Sequence, residues 1–252
     1  MSDPVAFARI GLLLVRPGFL IVGAPAFGGT YAPAHVKIGL TVLLALALLP
    51  AAGTELPPTP IGLGVVVSRE AAIGLSLGLA LRALIAAAEF AGHLAGFQLG
   101  LSYSAIVDPQ SGVRNNVLAA LYGQIALVTL FLVNGHHAFL RALEATYQRL
   151  PIGVGQVGGS LPAAVIGMLG LVFALGARLA APLVIVLVVT EVALGLLARS
   201  APALNIMVSG APVRLLIGLV LLGLTAPAVT GVMGSMVDGV VQLGVAAAAA
   251  FR

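Results

Sequence analysis

Apolar residues dominate the chain in long runs, and the charged residues divide these runs into two kinds. Four stretches carry no charge over lengths close to a membrane span: residues 38–54, 115–140, 150–177 and 215–237. A bilayer core of about 30 Å needs roughly 20 apolar residues in a helix, so each stretch predicts a membrane-crossing helix. In the third stretch residues 151–162 are rich in Pro and Gly, so we expect its helix to begin near Leu161.

Other apolar segments, namely residues 4–22, 61–107 and 161–198, are interrupted by charges. An ionised side chain facing hydrocarbon costs at least about 3 kcal/mol even on insertion scales. These charges should therefore face protein, water or a partner chain, unless each lies at a helix end and extends to the headgroups. The residues assigned to buried charge and inter-subunit contacts are Arg16, Glu70, Arg82, Glu89, Arg178 and Glu191.

Composition points to an integral membrane protein. Of the 252 residues, 60% are hydrophobic and 8% are charged, whereas a soluble domain carries about 25% charged residues. The length leaves room for about six spans and no separate soluble domain. We therefore interpret residues 1–252 as a single, all-α, multi-pass domain, whose orientation stays open because basic loop residues fall on both sides.

Charge and motifs exclude several functions. The formal net charge is +4, but the basic residues are scattered singly, and the chain has no Trp, which argues against nucleic-acid binding. Without Cys there are no disulfides, thiolate ligands or thiol nucleophiles. The sequence contains no Gly-x-Ser-x-Gly, no His-Glu-x-x-His and no phosphate-binding loop. We expect neither an enzyme nor a protein with a cofactor or metal.

Glycines recur at spacings of four, which predicts close helix packing. Gly74 and Gly78 form one Gly-x-x-x-Gly motif, and Gly92, Gly96 and Gly100 form two in register. Such a stripe lets a second backbone approach closely in a membrane. The motif leaves open whether that second helix belongs to the same chain, to a copy or to another subunit.

Two polar features suggest transport chemistry. Glu89 and His93 share a helix face, either as a buried structural pair or as a proton relay or metal site. Pro182 should kink an apolar helix, and Glu191 follows further along it. Because ion-coupled transporters use broken helices beside buried carboxylates, a proton-coupled small-solute transporter is an alternative function; an accommodated kink is the simpler interpretation.

Between two apolar helices lies a polar loop with the turn signals Asp108-Pro109 and Ser111-Gly112. Backbone of this kind at membrane depth is tolerated only where it lines a cavity or is buried in protein. A simple surface loop is an equally good interpretation.

Several motifs, in order, resemble those of the flagellar biosynthetic protein FliR family. They are Pro25-Ala-Phe-Gly with Pro33 and Lys37-Ile-Gly-Leu, Glu70 to Gly78, Ala91 to Gly100, Asp108-Pro109, Asn134-Gly-His-His with Leu150-Pro-Ile-Gly, and Arg199 to Pro212. Each motif alone is weak, but the ordered set runs from about residue 7 to 240 and is specific. The Ala- and Gly-rich composition with a single Lys departs from the family.

The resemblance implies a subunit of the type III export gate. Such a subunit assembles with FliP and FliQ homologues into a pore in the bacterial inner membrane, within the flagellar basal body, through which unfolded flagellar proteins are exported. Docking to FlhB and FlhA homologues and contact with membrane lipid are also implied, as are long, kinked helical hairpins packed into a larger hetero-oligomer. An injectisome subunit of the same superfamily is the alternative, and the Asn134 motif favours the flagellar branch.

In the family, one loop hangs into the pore and helps to close it. The residues carried over to this pore plug are Asp108, Pro109, Gln110, Ser111, Gly112, Val113, Arg114, Asn115 and Asn116. A polar segment containing Gly suits a plug that must move aside for substrate.

Overall fold

The computed structural model describes residues 4–25, 32–49, 59–101, 116–153, 161–200 and 206–249. All regular elements in these ranges are α-helices, so the predicted all-α fold is confirmed. In chain order they are α1 (Pro4–Gly23), α2 (Ala34–Leu48), α3 (Pro60–Gln98), α4 (Val117–Leu132), α5 (Gly135–Arg149), α6 (Leu161–Ser200) and α7 (Ile206–Ala249). Helix α6 begins at Leu161, where the Pro- and Gly-rich run ends.

Within the described ranges, 3 helices are long and apolar enough to cross a membrane: α3, Ile166–Ser200 of α6 and Pro227–Ala249 of α7. The number rises to 4 if the bent pair of α4 and α5 counts as one span. The chain is a multi-pass membrane protein. These ranges hold fewer spans than the roughly six that its length allows, partly because α2 is too short to count as a full span.

The charge-free stretch 115–140 is not one straight span. Helix α4 ends at Leu132, α5 begins at Gly135, and the two are bent by 69°. Between them Asn134 has a φ of 55°, in the left-handed region that Asn tolerates better than most residues. The prediction of a single helix was wrong here, and the Asn-Gly dipeptide is the signal that marks the bend.

Two compact units share the chain. Unit 1 comprises Met1–Leu84, Leu130–Gly170 and Met236–Arg252, and unit 2 comprises Ile85–Thr129 and Leu171–Ser235. Helices α3, α4, α6 and α7 each contribute residues to both units, and neither unit is one continuous segment. The single domain over residues 1–252 stays a prediction.

Each unit has its own apolar core. In unit 1, leucines of α1 and α3 pack with the buried face of α5, which includes Leu143 and Tyr147. In unit 2, Leu99, Leu118 and Leu187 bring together the end of α3, the start of α4 and the middle of α6. The Phe90 and Phe173 rings add an edge-to-face contact there, with centroids 5.3 Å apart.

Helices α6 and α7 leave most of their apolar surface uncovered by the rest of the chain. Of the most apolar window in α3, 67% is buried, but only 33% of the corresponding windows in α6 and α7. On α6, Ile185, Val189, Val192 and Leu196 are spaced four, three and four residues apart, so they form one helix face. Each of these side chains is at least 60% exposed. We call this stripe the α6 apolar face.

Glycines allow α1 and α3 to approach closely in unit 1. A Cβ atom on Gly78 would lie 2.9 Å from both the Gly23 Cα and the Leu20 carbonyl oxygen. One on Gly74 would overlap the carbonyl oxygen of Arg16. The second helix at this Gly-x-x-x-Gly motif is therefore α1 of the same chain.

We expect Gly78→Ala to destabilise the protein by about 1–3 kcal/mol, because the added methyl group forces two backbones apart. Gly64→Ala is the matched control: Gly64 lies on the same helix, and a Cβ there meets nothing within 4 Å. Ala is the better helix former by about 0.5–1 kcal/mol, so the control should be neutral or slightly stabilising. Thermal unfolding in detergent measures both, and equal melting temperatures for the two variants would contradict the close approach.

Candidate site: a buried ion pair and two loop anchors

A fully buried arginine and glutamate pair with each other in unit 1. Neither Arg16 of α1 nor Glu70 of α3 has any side-chain surface exposed. Arg16 Nε donates to Glu70 Oε2, and Arg16 Nη2 donates to Glu70 Oε1 at 3.3 Å. This two-point contact is the geometry in which Arg binds a carboxylate most strongly. The chain therefore neutralises these two charges internally.

The same guanidinium also reaches α5. Arg16 Nη2 donates to the Leu150 carbonyl oxygen at 2.6 Å, and Nη1 donates to Thr146 Oγ1 at 3.3 Å. Its central carbon lies 4.5 Å from the centroid of the Tyr147 ring, within range of a cation–π interaction. A cation suits this position, because the last carbonyl groups of a helix lack internal partners. One side chain thus joins α1, α3 and α5.

Further contacts secure the pair. Tyr147 donates its hydroxyl hydrogen to the Leu13 carbonyl oxygen at 3.2 Å, which ties α5 to α1 a second time. Arg69 Nη2 lies 3.4 Å from Glu70 Oε1, so two guanidinium groups share one carboxylate. None of Arg69, Thr146, Tyr147 and Leu150 was predicted as a site residue from the sequence. Arg69 stood out as a charge in an apolar run, and Leu150 belonged to one of the motifs that carry the family resemblance.

The other charges assigned from sequence have different surroundings. Arg82 on α3 and Arg178 on α6 are exposed. Glu89 is half-buried in unit 2, where its side chain packs against Gly123 of α4, and His93 is exposed. In the described part of the chain, no group of three His, Cys, Asp or Glu side chains is placed to hold a metal ion.

Glu191 forms an ion pair with Arg214 in unit 2. Glu191 Oε1 lies 2.9 Å from Arg214 Nη2, and the two side chains are 38% and 27% exposed. Helix α6 continues as an α-helix through Pro182, which is exposed. The unwound segment that a transporter uses at such a site is therefore absent from 161–200.

Helix α3 ends in a Schellman motif at Gly100. Gly100 has a φ of 76°, and its N–H donates to the Phe97 carbonyl oxygen at 3.1 Å. The Leu101 N–H donates to the Gly96 carbonyl oxygen at 3.0 Å, which completes the motif. Gly100 thus ends the helix, whereas Gly92 and Gly96 pack closely against residues at the start of α4.

Asn116 caps the first turn of α4. Its Oδ1 accepts hydrogen bonds from the N–H groups of Leu118 at 3.0 Å and Ala119 at 3.3 Å. Its Nδ2 donates to the His93 carbonyl oxygen of α3 at 3.4 Å, and its side chain lies against Gly96. Both ends of the loop carrying the predicted pore plug are therefore held by hydrogen bonds. The other plug residues, 108–115, lie outside the described residues.

Replacing one member of the buried pair should cost much more stability than replacing one member of the partly exposed pair of Glu191 and Arg214. We expect Arg16→Met to lower the free energy of unfolding by about 3–5 kcal/mol, because it leaves Glu70 without its main partner. Arg214→Met, the matched control, should cost about 0–1 kcal/mol.

Glu70→Gln should cost more than Arg16→Met, because Arg69 can still partly neutralise Glu70 but no described carboxylate replaces Glu70 beside the two arginines. Denaturant unfolding in detergent measures all three variants. Losses of similar size for Arg16→Met and Arg214→Met would show that the buried pair does not hold the helices together.

Known proteins resemble the chain over most of its length. The family model described as bacterial export proteins, family 1, matches residues 7–240. The flagellar biosynthetic protein FliR of Escherichia coli K12 is 33% identical over 215 residues, which cover 85% of this chain and 82% of the relative. FliR of Pectobacterium carotovorum is 34% identical over 214 residues, which cover 84% of this chain and 82% of the relative.

A relative with a different name also matches. The surface presentation of antigens protein SpaR of Salmonella typhimurium is 29% identical over 202 residues, covering 80% of this chain and 75% of the relative. The match of the family model to nearly the whole chain, together with the all-α membrane fold, settles the family: this chain belongs to the bacterial export proteins, family 1.

Proposed function

We propose that the chain is a subunit of the flagellar type III export gate in the bacterial inner membrane, within the flagellar basal body. It assembles there with FliP and FliQ homologues into the pore for unfolded flagellar proteins, and docks with FlhB and FlhA homologues. The observation that carries this proposal is similarity to FliR proteins across more than four-fifths of both chains. A local match would support only a shared motif.

The distribution of charge and apolar surface supports a role inside a larger assembly. The most deeply buried charges, Arg16 and Glu70, neutralise each other within unit 1. By contrast, the α6 apolar face and Leu216, Val220 and Leu224 of α7 remain exposed. In a membrane assembly, such surfaces are covered by lipid or by other subunits.

The pore plug is part of the same proposal. Residues 108–116 help to close the pore at rest and move aside for substrate. Support comes from the two anchors, since the Schellman motif at Gly100 and the cap at Asn116 fix where the loop leaves and rejoins the helices. These anchors hold the two flanking helices in place when substrate passes.

An injectisome gate subunit is the second candidate, and the SpaR relative favours it. The higher identity to the two FliR proteins leads us to place the flagellar role first. The transporter alternative is less well supported, because Glu191 is paired with Arg214 on a helix that continues through Pro182.

Co-expression with candidate FliP and FliQ proteins tests the assembly. We expect the three proteins to leave the membrane in detergent as one complex, with the tag on this chain alone. An unrelated multi-pass protein with the same tag is the control. If the tagged chain emerges without FliP and FliQ, and transports a small solute by itself in vesicles, the gate assignment fails.

Deletion of residues 108–114 tests the plug. We expect the assembled gate to form normally but to conduct ions at rest, because the pore loses its obstruction. The control replaces residues 154–160, the Gly-rich segment that precedes α6 in the sequence, with a Gly-Ser linker of equal length. Ion conductance of the reconstituted complexes at rest distinguishes the deletion variant from the control. If the deletion variant conducts no more than the intact gate, the plug assignment is wrong.

A further inference from the structure

Helices α5 and α7 run side by side in unit 1, in the same direction. Gly135, at the start of α5, packs against the side chain of Val237. Leu150, just after α5, shares a buried cluster with Ala248, near the end of α7. The first residue of α5 meets an earlier residue of α7, and the residue after the end of α5 meets a later one. The two helices are therefore parallel over this length.

An open groove of about 550 Å³ lies between them. Its walls are the side chains of Val241, Val245 and several alanines, which leave the space lined mainly by hydrocarbon. Its polar members are Arg141 and Arg149 of α5 and Gln242 of α7. The groove therefore combines a mainly apolar lining with two cationic side chains.

The two charged residues that line the groove are both arginines. None of its lining residues is acidic, and both arginines are exposed. The nearest acid along α5, Glu144, lines a different cavity, which Arg141 also borders. Eight residues of helix place the two arginines about 12 Å apart along the axis, so they flank the groove rather than occupy one point.

The position of the groove near the end of a candidate membrane span suggests its ligand. It occupies the last part of the candidate span Pro227–Ala249, so it lies where a spanning helix approaches the membrane surface. Arg near an anionic leaflet attracts acidic headgroups, and basic pockets between membrane helices hold such headgroups. An acyl chain would fill the apolar part of the same groove.

We propose that this groove binds one anionic phospholipid, with its phosphate held by Arg149, an acyl chain lying along Val241 and Val245, and Arg141 adding positive charge that attracts the lipid. The Arg16 contact to the Leu150 carbonyl oxygen fixes the end of α5 next to Arg149, so the site is formed before the lipid arrives. This inference does not depend on the export role.

Native mass spectrometry of the purified full chain tests it. The probes are phosphatidylglycerol and phosphatidylcholine with the same acyl chains. The variant Arg141→Gln with Arg149→Gln should lose affinity for phosphatidylglycerol by at least about tenfold. The control, Arg9→Gln with Arg199→Gln, removes two exposed charges elsewhere and should bind as the original chain does.

A second variant tests whether lipid binding depends on the shape of the groove as well as on its charge. Ala145→Leu keeps both arginines but fills the groove, so it should also weaken phosphatidylglycerol binding. Circular dichroism and gel filtration check that each variant is folded, and Arg149→Gln alone replaces the double variant if that one is not.

Several results would overturn the proposal. One is equal binding of phosphatidylcholine, and another is unchanged phosphatidylglycerol binding by the folded arginine variant. Full competition by inorganic phosphate would show a small-anion site instead. Unchanged phosphatidylglycerol binding by folded Ala145→Leu would show that the lipid does not occupy the groove.

Discussion

A charge placed within a membrane protein needs an opposite charge beside it, and unit 1 is organised around one such pair. Arg16 and Glu70 come from helices far apart in the sequence, and both are fully buried. Because Arg has five donors in a planar fork, it can hold Glu70 while also binding Thr146 and the Leu150 carbonyl oxygen. Helices α1, α3 and α5 are thereby fixed at one point.

The glycines make this arrangement sterically accessible. Gly74 lies against the backbone of Arg16 itself, and Gly78 lies one turn further along, against Gly23. A side chain at either position would hold α1 away from α3. With the buried charges paired and these small residues used for packing within unit 1, the exposed apolar side chains of α6 and α7 are available to lipid and partners.

Periodicity and composition predicted the membrane class, the all-α fold and the start of α6 at Leu161. They also predicted that Arg16 and Glu70 face protein, but not each other, because pairing across 54 residues depends on tertiary structure. The bend at Asn134 was missed because absence of charge says nothing about backbone conformation, although Asn-Gly was a visible signal. Gly100 fitted a packing stripe by spacing, and only its positive φ shows that it ends a helix.

If the chain works inside a larger assembly, as we propose, its uncovered apolar surface meets other protein subunits. Since the chain has no native Cys, a single Cys at Val189 can carry a photocrosslinker on the α6 apolar face without background labelling. In membranes of cells expressing the whole export apparatus, we expect crosslinks to other subunits, which disappear when the chain is expressed alone. Labelling of lipid alone in both cases would show that this face does not meet other subunits.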